Sequence, residues 1–138
     1  MLKHLNLVMP YWESPDMLRE QVRHWLDWRT VPRQRTTFLI VDDCSAEKPI
    51  DVATLRDLPL DIRVFRIARK VVWNWRAAKN IAMHEAPGGW SLITDIDHVL
   101  PRDEAAALFK TPLNPDCAYH VNRRTASDGS PYKPHSST

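Results

Sequence analysis

The sequence predicts an α/β domain whose sheet is mostly parallel and is flanked by helices. Apolar, β-branched runs alternate along the chain with segments of helical periodicity. Polar or acidic residues follow three of the four main predicted strands, as they do where a parallel sheet forms a ligand site beyond its carboxyl edge. A chain of 138 residues with 43% hydrophobic content is long enough for one such domain.

The first predicted elements are a strand over residues 5–11 and a helix within residues 14–28. The strand is an apolar run, and the helix begins with a cap residue, Ser14, followed by Pro15 in the first turn. Apolar side chains then recur at helical spacing, at Leu18, Val22, Trp25 and Leu26. A continuous apolar run over residues 36–43 predicts a second strand that is covered on both faces.

The second half of the chain continues this alternation. A third strand is predicted over residues 62–67, and Ala78, Ile81 and Ala82 share one side of a helix predicted over residues 74–86. The remaining predicted elements are a strand over 90–96, a helix over 102–109, a last strand over 117–122 and a flexible or extended tail over 125–138. We therefore expect the domain to occupy residues 1–124.

Composition argues against several classes of protein. The formal net charge of +2 is too small to favour nucleic-acid binding, and three glycines form neither G-x-G-x-x-G nor a P-loop. Two cysteines give no disulfide framework, and no run suits a signal peptide or a membrane span, so a cytoplasmic location is expected. Basic residues nevertheless concentrate in one stretch, which indicates either a solvated face or a patch for an anionic ligand: Arg56, Arg63, Arg66, Arg69, Lys70, Arg76 and Lys79.

Two acids at the end of the fourth predicted strand indicate a metal site. Asp95 and Asp97 lie at the end of the apolar run that contains Leu92, Ile93 and Thr94, where unpaired carboxylates would be costly to bury. Residues i and i+2 of a strand share a face, so the two carboxylates are expected side by side. Hard cations such as Mg²⁺ and Mn²⁺ are held by carboxylates together with phosphate oxygens of a substrate. His98 is either a further ligand or an ordinary neighbour.

Four segments together resemble family 2-like glycosyltransferases of the GT-A fold. They are "LVMPYWES", "FLIVDDCSAE", "WNWRAAKNIAM" and "LITDIDHVLP", and they occur in the family's order over residues 5–101. The family has a first-strand proline with a following aromatic, a V-D-D-x-S turn, an R/K-N helix start and an Asp-x-Asp motif. The resemblance implies a donor site for a nucleotide-sugar, with UDP as the expected nucleotide and Mn²⁺ or Mg²⁺ as the cation.

The resemblance also implies roles for single residues. Pro10, Tyr11 and Glu13 correspond to the loop that surrounds the nucleobase and ribose. Asp42 corresponds to the acid that contacts the base edge, and Asp43 is implied to orient the turn or to reach the ribose.

The remaining implied roles concern the diphosphate. Lys79, with Arg76 one turn earlier, lies where the family has an arginine close to the base or diphosphate. Asp95 is implied to contact the ribose or sugar and to share the metal with Asp97, and that metal would bridge the two phosphates.

Each of these residues also has a structural interpretation. Asp42, Asp43 and Ser45 are residue types that favour turns, and Arg76 and Lys79 are types common on helix surfaces. Trp73 and Trp75 suit core packing as well as stacking on a ligand, and Tyr132 and His135 in the tail are weak candidates for acceptor contacts.

The sequence predicts the donor half of a glycosyltransferase, incomplete at its C-terminus. No acid of this chain matches the family's catalytic base, so the catalytic residue stays unassigned. The alternative is a non-catalytic binding or assembly module that self-associates through an unpaired sheet edge. A nucleotidyltransferase shares the metal acids but normally has a glycine-rich signature near the first strand, and "LVMPYWES" has none.

Overall fold

A computed structural model describes residues 1–72 and 74–124 as one sheet flanked by helices. The strands are β1 (Leu5–Tyr11), β2 (Thr36–Asp42), β3 (Asp61–Arg66) and β4 (Trp90–Ile93). The helices are α1 (Pro15–Asp27), α2 (Thr30–Gln34), α3 (Ala53–Arg56), α4 (Trp75–Glu85) and α5 (Arg102–Lys110). The strand order is β3-β2-β1-β4, and all three pairings are parallel.

The strand order reverses between β1 and β4. From β1 the chain proceeds to β2 and β3 on one side, and α4 then carries it back to β4 on the other. In open parallel sheets a crevice forms at such a reversal, outside the carboxyl ends of the strands. The sheet topology therefore places a potential ligand site between the ends of β1 and β4.

The two strands that pair with β1 end at different positions along it. Pairing with β2 continues to Tyr11 and Asp42, whereas pairing with β4 stops at Val8 and Ile93. The end of β1 therefore has no partner strand on the β4 side among the described residues. Pro10 suits this position because proline has no backbone N–H that needs an acceptor. The unequal strand lengths open a gap beside the end of β1.

The core has one layer on each face of the sheet. On the α1 face, Trp25 stacks on Phe38 with ring centroids 4.3 Å apart, and Trp28 packs against the same ring at 5.6 Å. On the α4 face, the small side chains of Ala78 and Ala82 pack against β1 and β2. Alternate residues of β1 contribute to the two layers, as expected of a strand covered on both sides.

The predicted α/β class and parallel sheet are confirmed, and several element bounds differ. The fourth strand ends at Ile93 rather than at residue 96, and the short helices α2 and α3 were not predicted. The strand predicted over 117–122 is wrong: these residues are exposed and form no ladder with the described strands. A strand needs a partner and a buried face, and apolar residues in that stretch have neither. Trp73 and the predicted tail over 125–138 lie outside the described residues.

Among the described residues, no helix is long and apolar enough to cross a bilayer. Cys44 is half-buried, Cys117 is exposed, and both are free thiols.

Candidate functional site

A cleft of about 200 Å³ opens at the gap between β1 and β4. Its lining comes from the end of β1, from the loops that follow β1, β2 and β4, and from the first residue of α4: Pro10, Tyr11, Trp12, Asp43, Trp75, Asp95 and Ile96. Four segments that are distant in the sequence meet at this point because the carboxyl ends of parallel strands share one edge of the sheet.

Asp95, Asp97 and His98 form an acidic cluster at the end of β4. One potential ligand atom from each residue lies within 4.8 Å of the others. Nδ1 of His98 is 3.9 Å from Oδ2 of Asp95, and Nε2 is 3.8 Å from Oδ1 of Asp97. The two aspartates come together in a turn, closed by the His98 N–H donating to the Asp95 carbonyl at 3.0 Å, and not on one strand face as the sequence suggested.

The turn that carries the acidic cluster is held by α1. The buried amide of Gln21 donates to the carbonyls of Ile96 and His98 at 2.7 and 2.8 Å. Further along, the indole N–H of Trp28 donates to the carbonyl of Leu100 at 3.0 Å. These bonds satisfy backbone carbonyls that no strand or helix pairs, so the loop position is fixed from within the core.

Lys79 links α4 to the acidic cluster. Its Nζ donates to Oδ1 of Asp95 at 2.7 Å and lies 4.7 Å from the ring centroid of Trp75. The Lys79 side chain is mostly buried, whereas that of Asp95 is more exposed. One oxygen of Asp95 is therefore already occupied by an ammonium, and its other oxygen faces His98.

The donor set of the acidic cluster fits a small divalent cation. Two carboxylates and one imidazole are ligands that Mn²⁺ accepts, and carboxylates suit Mg²⁺. Asp97 is exposed and leaves room for further ligands from solvent or substrate. Lys79 occupies part of this donor set, so a cation at Asp95 has to compete with its ammonium.

Asp42 and Asp43 face different surroundings at the end of β2. Asp42 is buried, and its two carboxylate oxygens accept the backbone N–H groups of Ser45 and Ile50 at 2.8 and 3.2 Å. Asp43 lines the cleft, and its buried Oδ1 accepts no hydrogen bond from the described residues. The structural interpretation of the V-D-D-x-S turn therefore applies to Asp42, while Asp43 lines the cleft and its Oδ1 is left free of the turn's hydrogen bonds among the described residues.

Tyr11 and Trp12, at the end of β1, also face different surroundings. Tyr11 is 1% exposed, and its hydroxyl donates to the carbonyl of Lys48 at 2.5 Å. Trp12 is 56% exposed and lines the cleft, as does Pro10. Tyr11 has its aromatic ring in the core, so the exposed ring at the end of β1 is that of Trp12.

Glu13 holds the loop after β2 rather than facing the cleft. Its carboxylate accepts the N–H groups of Ala46, Glu47 and Lys48, and its own N–H donates to Oγ of Ser45 at 2.9 Å. The backbone of Glu13 is left-handed, with φ of 46°, which turns the chain sharply after β1. Glu13 therefore ties the loop after β1 to the loop after β2.

Arg76 lies at the rim of the site. Its guanidinium is 5.1 Å from the ring centroid of Trp75, and its side chain is exposed. Trp75 itself is 42% exposed and lines the cleft. The sequence left Trp75 open between core and ligand, and the structure places it at the cleft wall.

Comparison with known proteins identifies the family. The family model of glycosyl transferase family 2 matches residues 7–138. The chain belongs to this family. No curated protein matches the chain.

Solved structures of glycosyltransferases share the fold. Staphylococcus aureus TarS 1–349 has a TM-score of 0.65 and 18% identity, over 78% of this chain and 32% of that chain. TarS 1–349 in complex with UDP has a TM-score of 0.65 and 19% identity over the same shares. The Pyrobaculum calidifontis mannosyltransferase PcManGT, in complex with GDP-Man and Mn²⁺, has a TM-score of 0.64 and 18% identity, over 81% of this chain and 33% of that chain. These similarities confirm the predicted GT-A fold. The present chain spans about a third of the length of each of these structures.

Gln21 and Trp12 were not predicted as part of the site, although the sequence carries a signal for each. Gln21 is a polar residue on the apolar side of α1, between Leu18 and Trp25. Trp12 follows a strand whose alternation already places Tyr11 in the core.

The Glu13 carboxylate predicts an acid-dependent contribution to stability. Desolvation alone would raise the pKa of Glu13, but the N–H groups of Glu47, Ala46 and Lys48 and the nearby Lys48 ammonium hold it below the ordinary 4.5. A lowered pKa in the folded state stabilises the fold above about pH 4.5, and the stabilisation is lost as the pH falls through the folded-state pKa. The thermal midpoint of Glu13→Gln should lie below that of the unsubstituted chain at pH 7, and the gap should close below about pH 4.5. A gap that stays constant from pH 7 to pH 3 would contradict this role.

Proposed function

We propose that the cleft binds a nucleoside-diphosphate sugar and that the protein transfers the sugar to an acceptor. The observation that supports this most strongly is the convergence, at or beside one cleft, of an exposed aromatic ring, a carboxylate with an oxygen that the described residues leave without a hydrogen bond, and a cluster of cation ligands. These three features match the base, the base edge and the metal-bound diphosphate of such a donor. The chain spans about a third of the length of the structures it matches. The transfer activity of the whole protein is therefore proposed here as well.

The base is proposed to bind at the β1 and β2 side of the cleft. Trp12 offers an exposed ring on which a planar base stacks. The carboxylate of Asp43, which lines the cleft, would accept an N–H group, which both uracil and guanine present on their pairing edge. We favour UDP as the nucleotide; TarS has been solved with UDP and PcManGT with GDP-Man. In this proposal Asp43 takes the base-edge role that the family resemblance gave to Asp42.

The diphosphate is proposed to bind beside the acidic cluster. Asp95, Asp97 and His98 would hold Mn²⁺ or Mg²⁺, and Lys79 and Arg76 add positive charge at the same wall. A bound cation would stabilise the negative charge that develops on the leaving diphosphate. Lys79 is within hydrogen-bond distance of Asp95 and would turn toward the phosphates once a cation takes that carboxylate.

A non-catalytic binding or assembly module is the second candidate. Its support is the short edge strand β4, which among the described strands pairs with β1 alone and exposes Ile93. Donor binding distinguishes the candidates, because an assembly module has no need of a cation-dependent nucleotide site.

Calorimetric titration of UDP tests the proposed function. We expect UDP to bind in the presence of Mn²⁺ and much more weakly after chelation. Asp97→Asn should weaken UDP binding on the order of tenfold or more, since loss of even an outer-shell partner costs that much at metal sites. Asp103→Asn removes an exposed carboxylate on α5 and is the matched control. A folded chain that binds neither UDP nor GDP with Mn²⁺ would refute the donor site and favour the assembly module.

Substitution of the adjacent residues Asp42 and Asp43 should separate an effect on stability from an effect on UDP binding. Asp42→Asn should lower the free energy of unfolding by about 1–3 kcal/mol, because a buried acceptor of two backbone N–H groups becomes an amide. Asp43→Asn should leave the urea midpoint nearly unchanged and weaken UDP binding. The reverse pattern in urea unfolding and calorimetry would return the base-edge role to Asp42.

The Lys79 ion pair predicts opposite effects on metal and nucleotide. Lys79→Met should raise the affinity for Mn²⁺ alone by roughly fivefold, because the competing ammonium is removed from Asp95. The same variant should weaken UDP binding at saturating Mn²⁺, because one diphosphate partner is lost. Arg76→Met removes an equal charge without a contact to Asp95 and should leave the Mn²⁺ affinity unchanged. Weaker Mn²⁺ binding by Lys79→Met would contradict the competition.

A further inference from the structure

One stretch of the chain is entirely free of acidic residues. No Asp or Glu occurs from residue 62 to residue 84, whereas six Lys or Arg residues do: Arg63, Arg66, Arg69, Lys70, Arg76 and Lys79. The donor site proposed above accounts for Lys79 and Arg76, and Arg66 donates to the carbonyl of Ser45 at 2.7 Å. Within the described part of the chain, Arg69 and Lys70 form no salt bridge and are exposed.

The segment 67–72, called the basic loop below, lies at the same edge of the sheet as the cleft. It begins where the N–H of Ile67 donates to the carbonyl of Asp42 at 2.9 Å, next to Asp43. Shortly after it, α4 begins with Trp75 in the cleft wall. Both ends of this connection are therefore tied to the mouth of the cleft.

The basic loop also exposes two adjacent aliphatic side chains. Val71 is 53% exposed and Val72 is 75% exposed, directly after Arg69 and Lys70. Single exposed apolar residues are common on soluble proteins, but here two lie together beside unpaired cations. A soluble polyanion would use the cations and gain nothing from the valines. An anionic lipid surface uses both, because phosphates attract the cations and the interfacial region accepts the aliphatic groups.

We propose that the basic loop docks on an anionic lipid surface. Arg69 and Lys70 contact the headgroup phosphates, and Val71 and Val72 enter the interfacial region. Docking in this way needs no membrane-spanning helix. It turns the mouth of the cleft toward the membrane, where an acceptor anchored in the bilayer would meet it. The proposal does not rest on the donor site, because the loop and its exposed cations are independent of any nucleotide.

Vesicle co-sedimentation without nucleotide or metal tests the docking. The unsubstituted chain should bind vesicles of phosphatidylcholine with 30% phosphatidylglycerol, about tenfold more weakly in 0.5 M salt, and should not bind phosphatidylcholine alone. Arg69→Gln/Lys70→Gln should weaken binding by about 30-fold, from the known contribution of basic residues at an anionic surface. Val71→Ser/Val72→Ser should weaken it by roughly tenfold.

Two control variants match these changes. Lys3→Gln/Lys110→Gln removes the same charge from exposed positions near Leu2 and Phe109, at the far end of β1. Val52→Ser removes an equally exposed valine, at 51%, that lies next to Asp51. Both controls should bind the anionic vesicles like the unsubstituted chain.

Three results would overturn the docking. No binding to anionic vesicles excludes it directly. If Val71→Ser/Val72→Ser binds anionic vesicles as well as the unsubstituted chain does, and heparin displaces both proteins from the vesicles equally, the loop is a site for soluble polyanions. A dimer in light scattering that dissociates in Val71→Ser/Val72→Ser, with no vesicle binding, assigns the loop to self-association. Since UDP titration is a separate measurement, failure of the docking and failure of the donor site are distinguishable.

Discussion

The cleft depends on side chains that satisfy the backbone of irregular loops. Beyond the sheet edge, the N–H and C=O groups of these loops have no ladder partners, and leaving them unpaired in a buried position is costly. Asp42 accepts two N–H groups of the loop after β2, Glu13 accepts three, and Gln21 donates to two carbonyls of the loop after β4. These polar residues fix the positions of the three loops, and the cleft is the space between them.

The same constraint explains which acids remain for a ligand. A carboxylate that accepts several backbone N–H groups has few lone pairs left, and this applies to Glu13 and Asp42. Asp43, Asp97 and part of Asp95 are not used in this way, and they lie at or beside the cleft. The division between supporting and ligand-facing acids follows from hydrogen-bond partners and not from residue type.

The sequence predicts the fold better than the details of the site. Alternating apolar runs and helical spacing depend on the core, so β1, β2, α1 and α4 were predicted closely. The pairing of Asp95 with Asp97 was predicted, but through a strand that ends at Ile93; the turn that joins them depends on Gln21, a contact 75 residues away in the sequence. No local sequence pattern predicts such a contact. Whether Asp42 or Asp43 faces the cleft depends likewise on where the following loop folds back.

Charge balance suggests how the proposed cation and diphosphate sites act together. Counting the imidazole as neutral, Asp95, Asp97 and Lys79 give the cluster a net charge of about −1. A divalent cation bound there would reverse this sign and free Lys79 from Asp95, so the wall would become attractive to a diphosphate only with the cation bound. A diphosphate in turn screens the cation from Lys79. The two ligands should therefore bind with positive coupling, and the Lys79–Asp95 pair keeps either one from binding strongly alone.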